Sequence, residues 1–153
     1  MLETLLTHLT HLHIIPILAS AISVYVLGGL WYGVIFKTSW EDFTGENQDD
    51  PVPFTLELIT YTAHAFGSLL VATGYHLVRN ILLSPSPMIS FRPEITLLDS
   101  LLLGCVVWLL FIVPTGFFHV LFAQKPLQLW ALDSFYWLAA LLATATISTV
   151  WPY

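Results

Sequence analysis

The stretch LLLGCVVWLLFIVPTGFFHVLFA, residues 101–123, carries no formal charge. It lies between Asp99 and Lys125, and a helix needs about 20 apolar residues to cross the hydrocarbon core of a bilayer. A soluble helix of this length would present a charged or polar face to water. The stretch therefore predicts a transmembrane helix.

Three further charge-free runs lie outside this stretch, at residues 4–36, 58–78 and 134–153. Charged residues make up only 9% of the chain, whereas soluble domains carry roughly 25%. We therefore predict an all-α fold, a four-helix transmembrane bundle in a single transmembrane domain over residues 1–153, preceded by a short N-terminal interfacial segment. The expected spans are residues 13–36, 54–78, 97–122 and 129–151.

The segments between the spans have the composition of loops. Residues 37–53 hold five acidic residues and two prolines, which indicates a solvated loop rich in turns. Residues 80–93 hold three prolines, which exclude a helix there. Within the third span, Pro114 removes one backbone donor, so it should kink the helix and free a carbonyl near Leu110.

A polar stripe follows the second span. Its members recur at steps of three, four and seven residues, which places them on one helix face that should point into the bundle. Polar groups inside a span are costly and indicate function, although hydrogen bonds that fix helix packing are the alternative. The stripe consists of Glu57, Tyr61, His64, Ser68 and Tyr75.

The end of the bundle that holds the first loop combines ionisable and aromatic residues. If the four spans alternate in direction, the second, third and fourth spans bring Glu57, His119 and Asp133 to similar depth. Such groups could carry protons, hold a divalent metal or act as acid and base, or they could anchor the loop ends. No ligand spacing supports a metal, so no metal site is predicted. The candidate catalytic residues are Glu57, His64, His119 and Asp133, and the candidate ligand-binding residues are Trp31, Tyr32, Trp40, Tyr61 and Tyr136.

Asp133 admits two structural interpretations. It lies near the predicted start of the fourth span, where a carboxylate can cap the helix and gain from its dipole. Alternatively it faces inward, toward His119 or the stripe on the second span. The first interpretation places the carboxylate on backbone N–H groups of residues 134–136, and the second places it beside titratable side chains.

Small residues at four-residue spacing indicate close helix packing, either within the bundle or between protomers. A homo-oligomer would use either of two such pairs. These are Gly29 with Gly33 and Ala139 with Ala143, and Ala63 with Gly67 shows the same spacing.

Two stretches of the chain resemble a known family, the membrane proteins grouped as domain of unknown function family 1761. The first is LGGLWYGVIFKTSW, residues 27–40, which is similar to a Gly-x-x-Trp-Tyr motif followed by Phe and Trp. The second, residues 101–148, resembles the family's third and fourth helices. The resemblance implies four spans and draws attention to the end with Trp31, Tyr32, Trp40, Asp133 and Tyr136, but it implies no mechanism. The matching positions in the second stretch are Gly104, Trp108, Pro114, Phe122, Pro126, Asp133 and Tyr136.

Three functions fit these features. The first is a bundle that binds or transforms a lipophilic small molecule inside the lipid bilayer, and a pocket lined by Glu57, His64 and Asp133 would favour it. The second is a non-catalytic interaction or assembly protein, which a filled interior would favour. The third is a proton-coupled carrier acting as an oligomer. The chain has no basic patch for nucleic acid, and its residues identify no cofactor.

Labelling of introduced cysteines tests the expected topology. With Cys105 replaced by Ala, Gly45→Cys and Met88→Cys should react with an impermeant thiol reagent from opposite faces of sealed vesicles. Reaction of both positions from the same face would contradict four spans.

Overall fold

The computed structural model of the chain describes residues 13–83 and 95–151, and every regular element in these two ranges is helical. Four of the helices are long and apolar enough to cross a membrane, as predicted. The predicted N-terminal interfacial segment lies outside the described residues except for His13. The elements are α1 (Ile14–Leu30), a π-helical turn (Trp31–Ile35), α2 (Lys37–Thr44), α3 (Phe54–Leu83), α4 (Leu97–Val107), a second π-helical turn (Trp108–Ile112), α5 (Val113–Phe122) and α6 (Leu127–Val150).

The four long helices are α1 with its π-helical turn, α3, the stretch from α4 to α5, and α6. They alternate in direction, and α6 lies at the centre. Helix α1 runs against α3, because Ser20 contacts His76 whereas Gly28 lies beside His64. Helix α6 packs against α1 on one side and against α4 and α5 on the other. Consequently, the ends that hold residues 13, 83, 95 and 151 lie together, and the connections 36–53 and 123–126 lie at the opposite end, which we call the loop end.

Small side chains form much of the core and allow the helices to approach closely. In one cluster Ile17 and Ala21 of α1 pack on Ala72 of α3, and Ala72 is completely buried. Val24 and Ala140 pack in a second cluster, where both are completely buried. These clusters form a closely packed layer across the middle of the bundle.

Two helices extend beyond the predicted spans. Helix α3 continues to Leu83, so residues 80–83 are helical rather than part of the second loop. The reason is that Arg79, expected to end the span in water, is buried inside the bundle. Helix α6 begins at Leu127 rather than 129, directly after Pro126.

The first loop contains a helix that the composition did not predict. Gly45 caps the C-terminus of helix α2, and its φ of 74° lies in the left-handed region that favours glycine. Lys37 Nζ lies 2.7 Å from Asp49 Oδ1 and 3.9 Å from Glu41 Oε1. The hydrogen bond to Asp49 raises the pKa of Lys37. These contacts hold the remaining loop, residues 45–53, against α2.

The third long helix is interrupted where Pro114 predicts a break. A π-helical turn precedes the proline, and the Val113 N–H donates to the carbonyl of Trp108, five residues earlier. The Thr115 hydroxyl lies within hydrogen-bond distance of the Phe111 carbonyl. It also lies 3.1 Å from the carbonyl oxygen of Ile112. Carbonyls in the turn therefore find a local side-chain partner, which a helix break would need in an apolar environment.

The polar stripe of α3 points into the bundle along only part of its length. Ser68 and Tyr75 are buried and His64 is half-buried, but Glu57 and Tyr61 are exposed. The prediction for the first two stripe positions is therefore wrong. Its physical reason is that every residue from 54 to 63 is exposed, since no described element packs over the first turns of α3.

Candidate functional site

Glycine 28 creates the contact around which the site at the loop end is built. A Cβ atom at this position would lie 2.5 Å from His64 Cε1 and 3.1 Å from the Tyr136 hydroxyl oxygen. Real Cβ atoms essentially never come that close to another heavy atom. Only glycine therefore lets α1, α3 and α6 meet here.

His64 and Tyr136 form a hydrogen-bonded pair across the bundle. Their Nε2 and hydroxyl oxygen are 3.4 Å apart, and the Tyr136 hydroxyl donates to the Val24 carbonyl at 3.2 Å. Because that hydroxyl has one hydrogen, His64 must donate from Nε2. The His64 ring also packs on Tyr25, with ring centroids 4.9 Å apart.

Asp133 faces inward and does not cap its helix. Because α6 begins at Leu127, Asp133 lies in the second turn, and its Oδ1 accepts a hydrogen bond from the Tyr32 hydroxyl at 2.9 Å. The capping interpretation is therefore wrong. His119 is close enough to Asp133 for an electrostatic interaction, and the ring of Tyr32 packs on Tyr136 with centroids 5.2 Å apart.

Five of the predicted site residues therefore come together, and we call them the loop-end cluster. Trp31 joins its edge, with its ring 6.3 Å from that of Tyr136. Glu57 and Tyr61 remain outside it, on the exposed part of α3. Trp40 lies half-buried in α2 and makes no ring or side-chain hydrogen-bond contact with the cluster in the described part of the chain. The loop-end cluster consists of Tyr32, His64, His119, Asp133 and Tyr136.

A pocket of about 470 Å³ lies beside this cluster, between α5 and α6. Two indoles fix its walls: Trp130 Nε1 donates to the Val113 carbonyl at 3.1 Å, and Trp108 Nε1 donates to the Ser134 carbonyl at 2.7 Å. The Trp130 ring also fills the space over Gly116, where a Cβ would lie 3.0 Å from its Cδ1. The lining residues are Ile112, Thr115, Gly116, His119, Lys125, Leu129, Trp130, Asp133, Ser134 and Trp137.

The polar groups of this pocket are few and convergent. Asp133, His119 and Lys125 contribute ionisable groups, and most other lining side chains are apolar. Ser134 is 5% exposed, and its hydroxyl oxygen has no hydrogen-bond partner in the described structure. The Ser134 side chain lines the pocket, where a ligand oxygen would give this hydroxyl a partner. The pocket contains Asp133 and His119 but neither Glu57 nor His64, so it is not the pocket that would have favoured the first of the three functions.

Charge and spacing patterns do not predict Gly28, Ser134 or Trp130, whereas the family resemblance includes Trp108. The spacing rule selected Gly29 and Gly33, yet a Cβ at either would meet nothing within 4 Å. Of the two interpretations of that pair, packing inside the bundle is therefore wrong. Gly28 follows Ser20 and Val24 at steps of four, but only the packing shows that these positions form the buried face of α1. No sequence signal identifies Ser134 or Trp130, because their role depends on where α4 and α5 lie.

The fold and this cluster define a class: a small all-helical bundle whose four long helices are apolar enough to cross a membrane. The family model described as Protein of unknown function (DUF1761) matches residues 15–149. The chain belongs to this family, which confirms the resemblance seen in its sequence. No curated protein and no solved structure matches the chain. The family description contains no activity, so the function has to be inferred from the site.

Adjacent glycines provide a matched test of the contact at the loop end. Gly28→Ala should destabilise the protein by about 1–3 kcal/mol, since overpacking forces neighbouring groups to shift. Gly29→Ala should be neutral or slightly stabilising, because its Cβ meets nothing and alanine favours a helix. Melting curves of both variants in detergent measure the difference. Equal melting temperatures would contradict the close approach of His64 and Tyr136 to α1.

Proposed function

We propose that the chain is a multi-pass integral membrane protein whose pocket between α5 and α6 binds a neutral lipophilic molecule. The observation that carries the proposal is the buried, unpartnered Ser134 hydroxyl within a pocket that is otherwise mostly apolar. Buried polar atoms normally have hydrogen-bond partners, so an unpaired one in a pocket indicates a ligand. Binding pockets for small molecules are typically apolar with a few convergent polar groups.

The size and lining of the pocket suit the apolar part of such a molecule. A volume of about 470 Å³ falls within the typical range for ligand sites, roughly 300–1,000 Å³. Trp130 and Trp137 offer aromatic faces, and Ile112 and Leu129 add aliphatic surface. Because these walls lie along the helices, a ligand could enter from the lipid side.

The charges around the pocket favour a neutral head group. Lys125 and Asp133 carry opposite charges that balance, so an ionised ligand would leave one charge unmatched in a medium of low dielectric constant. A hydroxyl or carbonyl oxygen can accept hydrogen bonds from Ser134 or His119. A hydroxyl can also donate to the Asp133 oxygen that Tyr32 does not occupy. We therefore propose a long-chain alcohol or ketone type of ligand, with Tyr32 holding Asp133 in place.

Three pyrene-labelled probes with identical chains and an alcohol, a carboxylate or an ammonium head test this proposal. Energy transfer from the pocket tryptophans should report the tightest binding for the alcohol. Ser134→Ala should weaken alcohol binding roughly 5- to 10-fold, the usual cost of one hydrogen bond. Asp133→Asn should shift the preference toward the carboxylate, because Lys125 then becomes unmatched.

Glu57→Gln is the matched control for these variants, since Glu57 is an exposed carboxylate outside the pocket. It should bind all three probes as the unaltered protein does. An unchanged ranking of heads in Asp133→Asn, together with unchanged binding in Ser134→Ala, would refute a ligand in this pocket.

A second candidate function, assembly with another copy of the chain, rests on a different observation. Gly29 of α1 and Gly33 of the adjoining π-helical turn are exposed, with open space over both. Glycine costs about 1 kcal/mol relative to alanine in a helix, so two exposed glycines gain a purpose if a second helix approaches them. Ala139 is a weaker candidate for the contact between copies, because it lies in a groove that Trp31 and Phe36 also line.

Replacement of Gly29 by a bulky residue tests this assembly. Gly29→Leu should reduce cross-linked dimers in vesicles at least severalfold and leave the monomer's melting curve unchanged. Val106→Leu, an enlargement on the exposed face of α4, should leave the dimers intact. A protein that is monomeric at every lipid-to-protein ratio would exclude this function.

A further inference from the structure

Arg79 lies buried at the end of the bundle opposite the pocket, where α3, α4 and α6 meet. It is the only Lys or Arg within the four long apolar helices. It is 7% exposed. A cation in such a position is a functional feature by default, because burying it is costly.

Hydroxyl groups hold one edge of the Arg79 guanidinium in a fixed orientation. Its Nε donates to Ser100 Oγ at 3.0 Å, and its Nη2 lies 3.5 Å from Thr149 Oγ1. The two hydroxyl oxygens are themselves 2.8 Å apart. The Tyr75 hydroxyl donates to the backbone carbonyl of Ser100. The guanidinium is therefore positioned by three helices.

The described residues leave this charge without an acidic partner. A guanidinium has five N–H donors, and only two of those on Arg79 are directed at the hydroxyls. No described carboxylate comes within 4 Å of it. Its neighbour His76 is directed at Ser20 Oγ, 3.1 Å away. The Asp99 carboxylate accepts from Thr96 in a capping box.

The C-terminus of α6 does not replace an anion. Thr149 lies in its last turn, so the negative end of the helix dipole is close to Arg79. That effect is small compared with the cost of an unpaired buried charge. A guanidinium with unused donors therefore indicates an anion that comes from outside the described chain.

We propose that Arg79 binds the phosphate group of an anionic phospholipid. The residue lies one turn before the end of α3 at Leu83 and beside the first turn of α4. This is where the helices would leave the hydrocarbon core, at the depth of the head groups. Guanidinium groups bind phosphate oxygens bidentately, and a lipid of net charge −1 neutralises the single cation. The assignment rests on the proposed membrane embedding, which the cysteine labelling tests separately.

The experiment measures lipid binding to the purified full-length protein by native mass spectrometry and by thermal stability in detergent. Phosphatidylglycerol is compared with phosphatidylcholine of the same chains and with inorganic phosphate alone. The unaltered protein should retain phosphatidylglycerol preferentially and melt at a higher temperature with it. Arg79→Gln should lower the affinity for phosphatidylglycerol at least tenfold. Arg79→Lys should lower it less, because the ammonium keeps the positive charge but cannot form the bidentate contact.

Two further variants keep the test decisive if Arg79→Gln fails to fold. Ser100→Ala retains the charge but removes the hydroxyl that orients it, and should weaken phosphatidylglycerol binding by a smaller factor. Lys37→Gln removes a cation at the loop end and should change nothing. Equal retention of the two lipids by the unaltered protein, or full retention by Ser100→Ala and Arg79→Gln, would overturn the proposal.

Two other results would identify a different partner for the Arg79 guanidinium. Stabilisation by inorganic phosphate equal to that by phosphatidylglycerol would overturn the lipid assignment. Glu94 lies outside the described residues, in the connection between α3 and α4. If Glu94→Gln abolished the preference for phosphatidylglycerol or destabilised the lipid-free protein as Arg79→Gln does, Glu94 would be the partner of Arg79. Under the proposal, Glu94→Gln leaves both measurements unchanged.

Discussion

The close approach of three helices at Gly28 is the constraint on which the loop end depends. A side chain there would occupy the space that the His64 ring now fills, at 2.5 Å from Cε1. With glycine, His64 can reach Tyr136, and Tyr136 can reach the Val24 carbonyl. The ring of Tyr136 in turn supports Tyr32, whose hydroxyl orients Asp133. One missing methyl group thus allows a chain of contacts that extends from α3 to the rim of the pocket.

The pocket itself results from the interruption of the third long helix. A continuous α-helix would satisfy its own carbonyls, whereas the π-helical turn before Pro114 changes the phase of everything that follows it. Trp108 and Trp130 secure the two sides of this turn to α6 through their indole N–H groups. These bonds use backbone carbonyls as acceptors, so the walls of the pocket are held by directional contacts as well as by packing.

The bundle separates two polar regions by a closely packed layer of small residues. Val24, Ala72 and Ala140 are completely buried there, together with the small hydroxyl side chains of Ser20 and Thr144. On the loop side lies a cluster with a carboxylate, two imidazoles and an adjacent pocket. On the other side lies a single guanidinium held by hydroxyls. Small residues in the layer let the helices approach closely, which is the main source of helix association where lipid removes the hydrophobic driving force.

The amino-acid sequence predicts the number of long helices and most of their boundaries. Solvation of a charge or an apolar run by water or lipid is a local property, so the spacing of charges reports it directly. It also indicates which end of the bundle gathers titratable groups, because consecutive helices that each cross a membrane must alternate in direction. The expectation that a charged residue marks the end of a span was wrong at Arg79, because the packed helices supply hydroxyl groups in place of water.

Which polar groups meet depends on how the helices pack. Glu57 and His64 lie on one face by helical phase, yet no described element covers the first turns of α3, so Glu57 is exposed. Gly28 and Gly29 are adjacent residues of the same type, but the rotation of α1 buries Gly28 and exposes Gly29. The tilt and rotation of a helix depend on side chains far away in the chain, and this is the physical reason why spacing within one helix could not predict the site.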